Sequence, residues 1–493
     1  MNPDVKERLP RCARKDKRCS PHPPTPFPLK NWPQVPRIIT LRSSLKSARD
    51  PIGTLNQALA HYGDTVRLYL GGVRPSVVTR DPALVQHVLQ KNHRRYHKSD
   101  LTHGLLRYLG RGLLTNEGAD WLRQRRLIQP GFHRQRLAGL TRLMRQAADE
   151  WVASVEAQLA ESKGVVELDA HAATTRVAFC IVARSVFGDS LADSELAQLS
   201  DWLTAIQAFY ISTIRQPYLR PWHWARGNYG RHDRLATRLR ELVRGAIGRH
   251  QAALAAAPAG TPPPDDLLQM LLDARYEDDG AAMSENQLLD ELNILLVAGH
   301  ETSANALAWA FALLAHHPAA QQQLAHEIAR ELPAGREVEF EDLPRLPYAL
   351  QVVQETLRLY PPAWIMDRVA TEPDEFQGVA IAQGTLFSLY LYGLHHHPGL
   401  WPEAEQFRPE RFAPGAVPAP PTYAYLPFGG GPRLCVGNQF ALTELQLVLI
   451  QAVRRFEINP VGPGLPGLSP LITLRPGELR LRFSRREGVG ESQ

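Results

Sequence analysis

Ten residues near the end of the chain constrain the fold more than any other stretch: Phe428-Gly429-Gly430-Gly431-Pro432-Arg433-Leu434-Cys435-Val436-Gly437. They place one cysteine on a glycine-rich turn, and a helix-forming run, Asn438 to Leu445, follows at once. A thiolate in front of a helix is stabilised by the positive end of the helix dipole and by N–H groups that lack an intrahelical partner. Gly429, Gly430, Gly431 and Gly437 let the backbone turn sharply and approach a flat ligand closely. Arg433 stands two residues before the cysteine and can reach a carboxylate. One soft anionic ligand, one cation and a loop shaped for close approach suit a haem with a proximal thiolate. Two plainer readings compete. A lone cysteine is usually a small buried apolar residue. A glycine run before a helix is often a phosphate loop, but no Gly-Lys-Ser/Thr follows this one.

Three further stretches carry polar residues where a plain core would not. Ser284-x-x-Gln287 opens a long helix as a capping box. That helix runs through Leu288, Leu289, Leu292 and Ile294 to about Ala315, and Ala298-Gly299-His300-Glu301-Thr302-Ser303 sits in mid-course. Glycine weakens a helix, and an acid with a hydroxyl pair sits where burial is expected. Such local conflicts mark functional sites. A hydroxyl bonded back to the preceding turn would open the helix and leave room for oxygen; the plain alternative is a kinked core helix. Trp121 and Arg125, four apart, share one helix face, and an indole N–H beside a guanidinium makes a carboxylate clamp. A core tryptophan beside a solvated arginine is the competing reading. Glu355 and Arg358 are three apart among Leu357, Leu359 and Tyr360. Such a pair is usually a surface ion pair contributing under about 1 kcal/mol.

These stretches together resemble the cytochrome P450 family. Phe428, Gly431, Arg433, Cys435 and Gly437 match its haem-binding signature at every fixed position. Ala298-Gly299-His300-Glu301-Thr302 matches its Ala/Gly-Gly-x-Glu-Thr segment, and Glu355-x-x-Arg358 with Pro409-Glu410-Arg411-Phe412 matches its structural Glu–Arg–Arg network. Trp121-x-x-x-Arg125 is similar to the family's propionate clamp. The resemblance spans roughly Pro51 to Phe483 and implies a mainly α fold with small β-sheets, the cytochrome P450 fold, in one domain over 51–493. It overrides the three domains that a prior of about 150 residues each suggests for 493 residues. It implies haem b (iron protoporphyrin IX) with Cys435 as axial iron ligand, and Phe428, Arg433, Trp121, Arg125 and Arg368 around it. Glu301 and Thr302 would relay protons on the oxygen side, as catalytic residues of a monooxygenase.

The remaining chain fits that frame. Residues 1–50 are rich in proline and basic residues, with a run from Pro21 to Pro28, and favour an extended tail or surface strap. Pro51 to Tyr62 reads as a helix ended by Gly63, and Thr65–Leu70 with Ser76–Thr79 as a hairpin turning at Gly71-Gly72. Asp81-Pro82 starts a helix. Residues 138–255 read as successive long helices, interrupted at Phe209–Trp224 by Pro217 and Pro221 among aromatics. An aromatic lid and ordinary loop packing both fit. Ile472–Leu474 and Leu479–Phe483 read as a terminal hairpin whose tip, by resemblance, reaches the pocket. His395-His396-His397 cannot converge on one ion and is no metal site.

Composition bounds the partners. Cys12, Cys19, Cys180 and Cys435 form no disulfide framework, which suits a reducing, cytoplasmic setting. No apolar run of about 18 residues exists, so no transmembrane segment is expected, though peripheral membrane contact stays open. Net charge is +6, and nothing suggests nucleic acid. No flavin or iron–sulfur domain follows Phe483, so electrons from NAD(P)H are expected through a separate ferredoxin or flavodoxin and its reductase. Arg123, Arg126, Arg134 and Arg136 offer a basic docking face for that partner, or a merely solvated one. A peroxide-driven enzyme and a non-catalytic haem sensor are the rivals, and neither needs Glu301-Thr302. The expected pocket residues Ala363, Trp364, Ile365, Met366, Leu471 and Ile472 are apolar. Together with the segments around them they resemble carotenoid-hydroxylating bacterial members, with long-chain fatty-acid hydroxylases as the alternative.

Overall fold

The computed structural model describes residues 32–42, 47, 49–70, 74–104, 106–188, 190–333, 335–417, 419 and 421–486. The proline run 21–28, Cys12 and Cys19 lie outside the described residues. Residues 33–35 lie along a sheet edge: Arg67 N–H donates to the Pro33 carbonyl at 2.8 Å and Val35 N–H to the Arg67 carbonyl at 2.9 Å.

Local chemistry sets the first elements as expected. Helix α1, Pro51–Tyr62, begins where Asp50 accepts from Gly53 N–H at 2.8 Å and ends at Gly63, whose φ of 102° suits glycine. Strands β1 (Thr65–Leu70) and β2 (Arg74–Thr79) pair antiparallel with Thr65 opposite Thr79. They join a five-stranded sheet, in the order β1-β2-β8-β5-β3, with β3 (Tyr96–His97), β5 (Met366–Ala370) and β8 (Leu386–Leu389). Strand β5 places Arg368 in the interior.

The helical layer follows: α2 (Gly118–Ile128), α3 (Arg134–Glu161), α4 (Ala170–Phe187), α5 (Asp193–Arg215), α6 (Asn228–Ala256), α7 (Glu285–His316), α8 (Pro318–Glu331), α9 (Pro347–Leu359) and α10 (Asn438–Arg455). Residues of α3, α4, α7, α8, α9 and α10 share one apolar cluster. Helix α7 runs through it and is buried on nearly all sides, which is why its apolar pattern has no single stripe. Each leucine fully buried there contributes roughly 1.5–3 kcal/mol relative to exposure. A Cβ on Gly299 would come within 2.7 Å of Val182 Cγ2, so this glycine lets α7 pack closely on α4. The capping box is half made. Ser284 Oγ accepts from Gln287 N–H at 3.2 Å, but the Gln287 side chain leaves the cap for the Arg111 carbonyl (3.0 Å) and Glu291 (2.7 Å).

The structure corrects two expectations. The last residues do not form one terminal hairpin. Strand β10 (Leu468–Pro470) pairs with β11 (Leu474–Pro476), while β12 (Arg480–Arg485) joins β4 (Val165–Asp169) and β9 (Phe456–Pro460) in a separate sheet. Strand β11 ends at Pro476 and residues 477–479 lie outside any strand, which breaks the alternation, and β4 lies between two helices with no sequence signal of its own. The aromatic interruption is also split. Helix α5 continues to Arg215, a 3₁₀ turn (Pro217–Leu219) and a short helix (Arg220–Ala225) follow. Phe209 and Tyr210 are buried with Tyr108, whereas Tyr218, Trp222 and Trp224 are exposed.

Candidate functional site

The cysteine loop is closed by a main-chain bond from Cys435 N–H to the Phe428 carbonyl, 3.0 Å. Gly431 has φ +65°, and a Cβ there would fall 1.9 Å from the Leu89 carbonyl oxygen. Only glycine fits. Gly429, at φ +73°, is the second residue that needs the left-handed region. Gly437 does not: its φ is −92°, and it serves as the N-cap of α10. Phe428 is half-buried and packs against the main core. Cys435 is exposed, yet removal from bulk water is the largest influence on its thiol and pushes its pKa up, while the Gly437 N–H and Arg125 act in the other direction. A residue with open surface but walled by protein lines a slot. Ala298 is likewise exposed and Thr302 half-exposed, four residues apart in the middle of α7, between the buried runs 291–296 and 303–315. Thr302 Oγ1 donates back to the Ala298 carbonyl at 2.7 Å, the bond anticipated from the sequence, and the helix continues through it.

Beside the cysteine loop, cations from distant segments converge. Arg433 lies over the Trp121 ring at 3.8 Å, pairs with Glu117 and donates to the Asn116 carbonyl at 2.9 Å. Arg125 donates to the Leu434 carbonyl at 2.7 Å, which places it at the cysteine loop itself. Arg368 is buried and donates to the Asp367 carbonyl at 2.7 Å. Lys98 joins them, bonded to the Leu114 carbonyl. Burial, with Arg368 and Arg433 beside it, pulls the Lys98 pKa down to about 7, and burial first pulls Arg433 down to about 10. These four cations face two carboxylates, Glu117 and Asp367. Such a surplus inside a protein calls for an anion. A thiol at a helix start, a glycine cradle and surplus cations fit a haem, whose propionates would supply the missing negative charge. Lys98 escaped the sequence reading because nothing in Tyr96-His97-Lys98-Ser99 marks it; only β3 brings it to the cluster.

Glu301 is buried and bonds residues other than Thr302. Its Oε1 accepts from Thr473 Oγ1 (2.5 Å), Arg475 Nε (2.8 Å) and Arg475 Nη2 (2.7 Å). Both partners lie on or beside β11, and no sequence signal marked them. Ser303 Oγ donates to Glu444 at 2.6 Å across to α10.

The Glu–Arg pair of α9 is not a surface pair. Arg358 and Glu355 are both fully buried; Arg358 Nε and Nη2 meet the two Glu355 oxygens at 2.7 and 2.8 Å. Arg411 reaches Glu355 at 3.2 Å. The expected basic face is largely neutralised as well. Arg123 pairs with Asp278 and Asp279, Arg126 with Glu277, and Arg136 with Asp265. Two surface clefts, of about 680 and 890 Å³, include neither Cys435 nor Thr302. The three histidines diverge: His395 accepts from Leu426 N–H, His396 bonds the Tyr392 carbonyl and His397 faces Asp64.

Residues 26–481 match the sequence model of the family described as Cytochrome P450. The chain is 34% identical over 440 residues to cyclooctatin synthase of Streptomyces melanosporofaciens, covering 89% of this chain and 92% of that protein. It is 33% identical over 421 residues to cyclooctat-9-en-7-ol 5-monooxygenase of the same organism, covering 84% and 86%. It is 29% identical over 462 residues to the human ultra-long-chain fatty acid omega-hydroxylase, covering 90% and 83%.

Proposed function

The chain belongs to the cytochrome P450 family and is a monooxygenase of it, and on that premise we propose that it binds haem b through Cys435 and hydroxylates a long, neutral terpenoid, with β-carotene the first to test. Of the stretches expected at the pocket, 362–366 and Leu471-Ile472 carry no charged side chain, and the cation that follows them on the hairpin, Arg475, is held by Glu301. That observation carries the preference. A fatty acid would bring a carboxylate against two apolar stretches whose neighbouring cation is already paired; a hydrocarbon needs none. Each buried CH₂ contributes about 0.8 kcal/mol, so a long chain binds well without polar anchors. Trp364 is buried, and its indole N–H donates to the Leu471 carbonyl at 3.0 Å, so the two apolar segments form one wall. One Streptomyces relative is named for acting on cyclooctat-9-en-7-ol, an alcohol without a carboxylate, which favours a neutral substrate, and the name of the human relative supports the fatty-acid alternative.

Haem, when held here, supplies oxygen activation driven by electrons and tuned by the thiolate ligand. Arg125, Arg368, Arg433 and Lys98, with Trp121, would hold its propionates. Thr302 and Glu301 hold and pass protons on the α7 side. We place the protein in the cytoplasm, fed by a separate ferredoxin or flavodoxin and its reductase; among the described residues no helix is long and apolar enough to cross a membrane.

A reconstituted assay with β-carotene and, separately, palmitic acid tests the substrate. Product from β-carotene is expected; efficient palmitate hydroxylation with none from β-carotene overturns it. Cys435→His should abolish the red-shifted carbonyl absorption of the reduced haem-thiolate, and survival of that band would refute the ligand assignment.

A further inference from the structure

Thr473 and Arg475 both bond one oxygen of Glu301, and two side chains from other parts of the chain, His171 and Asn305, stand in line behind Thr473. His171, at the start of α4, meets Asn305 Oδ1 through Nε2 at 2.9 Å. Asn305 Nδ2 donates to Thr473 Oγ1 at 2.9 Å. A hydroxyl that accepts there has its own proton left to give, and Thr473 gives it to Glu301 at 2.5 Å. Arg475, two residues on, adds Nε and Nη2 to the same oxygen. Asn305 is fully buried and Thr473 and Glu301 nearly so, and a buried polar chain with every donor pointing one way fixes geometry strongly. The same hairpin carries Leu471 and Ile472 at its tip. It is tied on by Leu474 N–H to the Pro362 carbonyl, 3.0 Å, and by the Trp309 indole to the Leu474 carbonyl, 3.3 Å.

We infer that Thr473 and Arg475 are positioning residues that latch Glu301, so that the seating of substrate against the hairpin tip governs when the acid can turn toward Thr302. This rests on the monooxygenase reading of the site. In the latched state Glu301 Oε1 is committed to three donors and is a poor partner for Thr302. A substrate pressing on Leu471 and Ile472 shifts residues only one to four positions from the two latch side chains. Release frees the carboxylate, ionised while Arg475 holds it, to take a proton from solvent and pass it toward Thr302, which returns the acid to its ionised form. Asn305 and His171 do not touch the reacting atoms; they fix the direction of the Thr473 hydroxyl. Proton supply is thereby withheld until substrate is present, which limits wasteful reduction of oxygen.

The variants are Thr473→Val, Arg475→Gln and Arg475→Lys. Two measurements are made on each: amide hydrogen exchange of peptides covering 466–478, and the share of reducing equivalents recovered as peroxide against product from pH 6 to 9. Thr473→Val and Arg475→Gln should speed exchange several-fold, raise peroxide at least threefold and alter its pH profile, with Arg475→Lys in between. Unchanged exchange overturns the latch. Faster exchange with an unchanged peroxide share and pH profile overturns the positioning role, leaving only a structural tie. Exchange is read whether or not the protein shows the haem-thiolate band, so failure of the functional reading and failure of the latch remain distinct.

Discussion

Two of the interior Glu–Arg pairs differ in their surroundings. Glu355 and Arg358 are neighbours on one helix turn, both with no exposed side-chain surface. Every donor of that arginine is engaged: Nη1 by the His395 and Ala404 carbonyls at 2.9 and 2.8 Å, Nη2 also by the Gln406 carbonyl at 3.2 Å. Glu355 also takes Arg408 N–H at 2.9 Å. The pair thus clamps α9 to the segment from His395 to Arg411 and has no freedom to move. Glu301 and Arg475 are 174 residues apart, and Arg475 keeps 22% of its side-chain surface open. Their pair closes across an element boundary beside open space. A closed pair makes scaffold; a pair with one open side can take part in a step.

The largest effect should come from breaking the closed pair. Arg358→Ala takes a donor from three carbonyls and leaves the buried Glu355 carboxylate with only Arg411 and the Arg408 N–H. Removing one partner of such a pair costs about 3–5 kcal/mol. Thermal melting should show a loss of that size together with poor haem retention. A loss under about 1 kcal/mol would put this pair on the same footing as a surface bridge and erase the contrast.

Glu444 sharpens the comparison from the other side, because it is a buried acid with no cation partner among the described residues. Its Oε1 has no partner among the described residues, and burial raises its pKa to about 8, opposed only by Ser303. The sign follows from linkage. The unfolded carboxyl ionises above about 4.5 while the folded one keeps its proton, so stability present below that pH is lost as pH rises through about 8. Glu444→Gln should remove this loss, on the order of 2 kcal/mol between pH 5 and 9 after allowance for relaxation around the site. Parallel stability curves for wild type and Glu444→Gln across that range would show that the acid is ionised in the fold.

Legibility from sequence divides along the same line. The cysteine loop, Thr302's bond to Ala298 and the Glu355–Arg358 spacing are local, so residue type and offset suffice to see them. Even there, the offset misjudged burial: three residues apart on a helix says surface pair, and only packing of 395–411 over α9 makes it core. The cation cluster and the Glu301 latch are assembled from segments far apart, with Lys98 on one side of the chain and Thr473 and Arg475 near its end. Periodicity carries no information about such meetings. The terminal strands were misjoined for the same reason, since alternation shows that a segment is a strand and not which strand it pairs with.

Thr302→Ala separates proton handling from stability. Its hydroxyl returns to its own helix, a bond that adds little to the fold. Haem and substrate binding should stay within twofold of wild type and the melting temperature should hardly move, while peroxide becomes the main sink for reducing equivalents. Unchanged coupling of NAD(P)H to product would remove Thr302, and with it the reason for Glu301 to be released.

The smallest effect is expected at the third kind of pair, the exposed one. Sequence alone offers Arg123, Arg126, Arg134 and Arg136 as a docking face, but three of the four already have acids beside them. Arg123 also lies over the Tyr276 ring at 3.7 Å. A cation facing two aspartates presents little net field to an approaching acidic partner, and salt screens what remains. Arg134 differs. It lies over the Phe340 ring at 5.8 Å and has no carboxylate partner among the described residues. Arg123→Gln should therefore change the rate of reduction by an acidic ferredoxin less than about twofold, whereas Arg134→Glu should slow it severalfold, more so at low ionic strength. Stopped-flow reduction at two salt concentrations reads both. If Arg123→Gln slows reduction as much as Arg134→Glu does, the paired arginines act as free charges, and a pair's surroundings do not decide its role at the surface as they do in the interior.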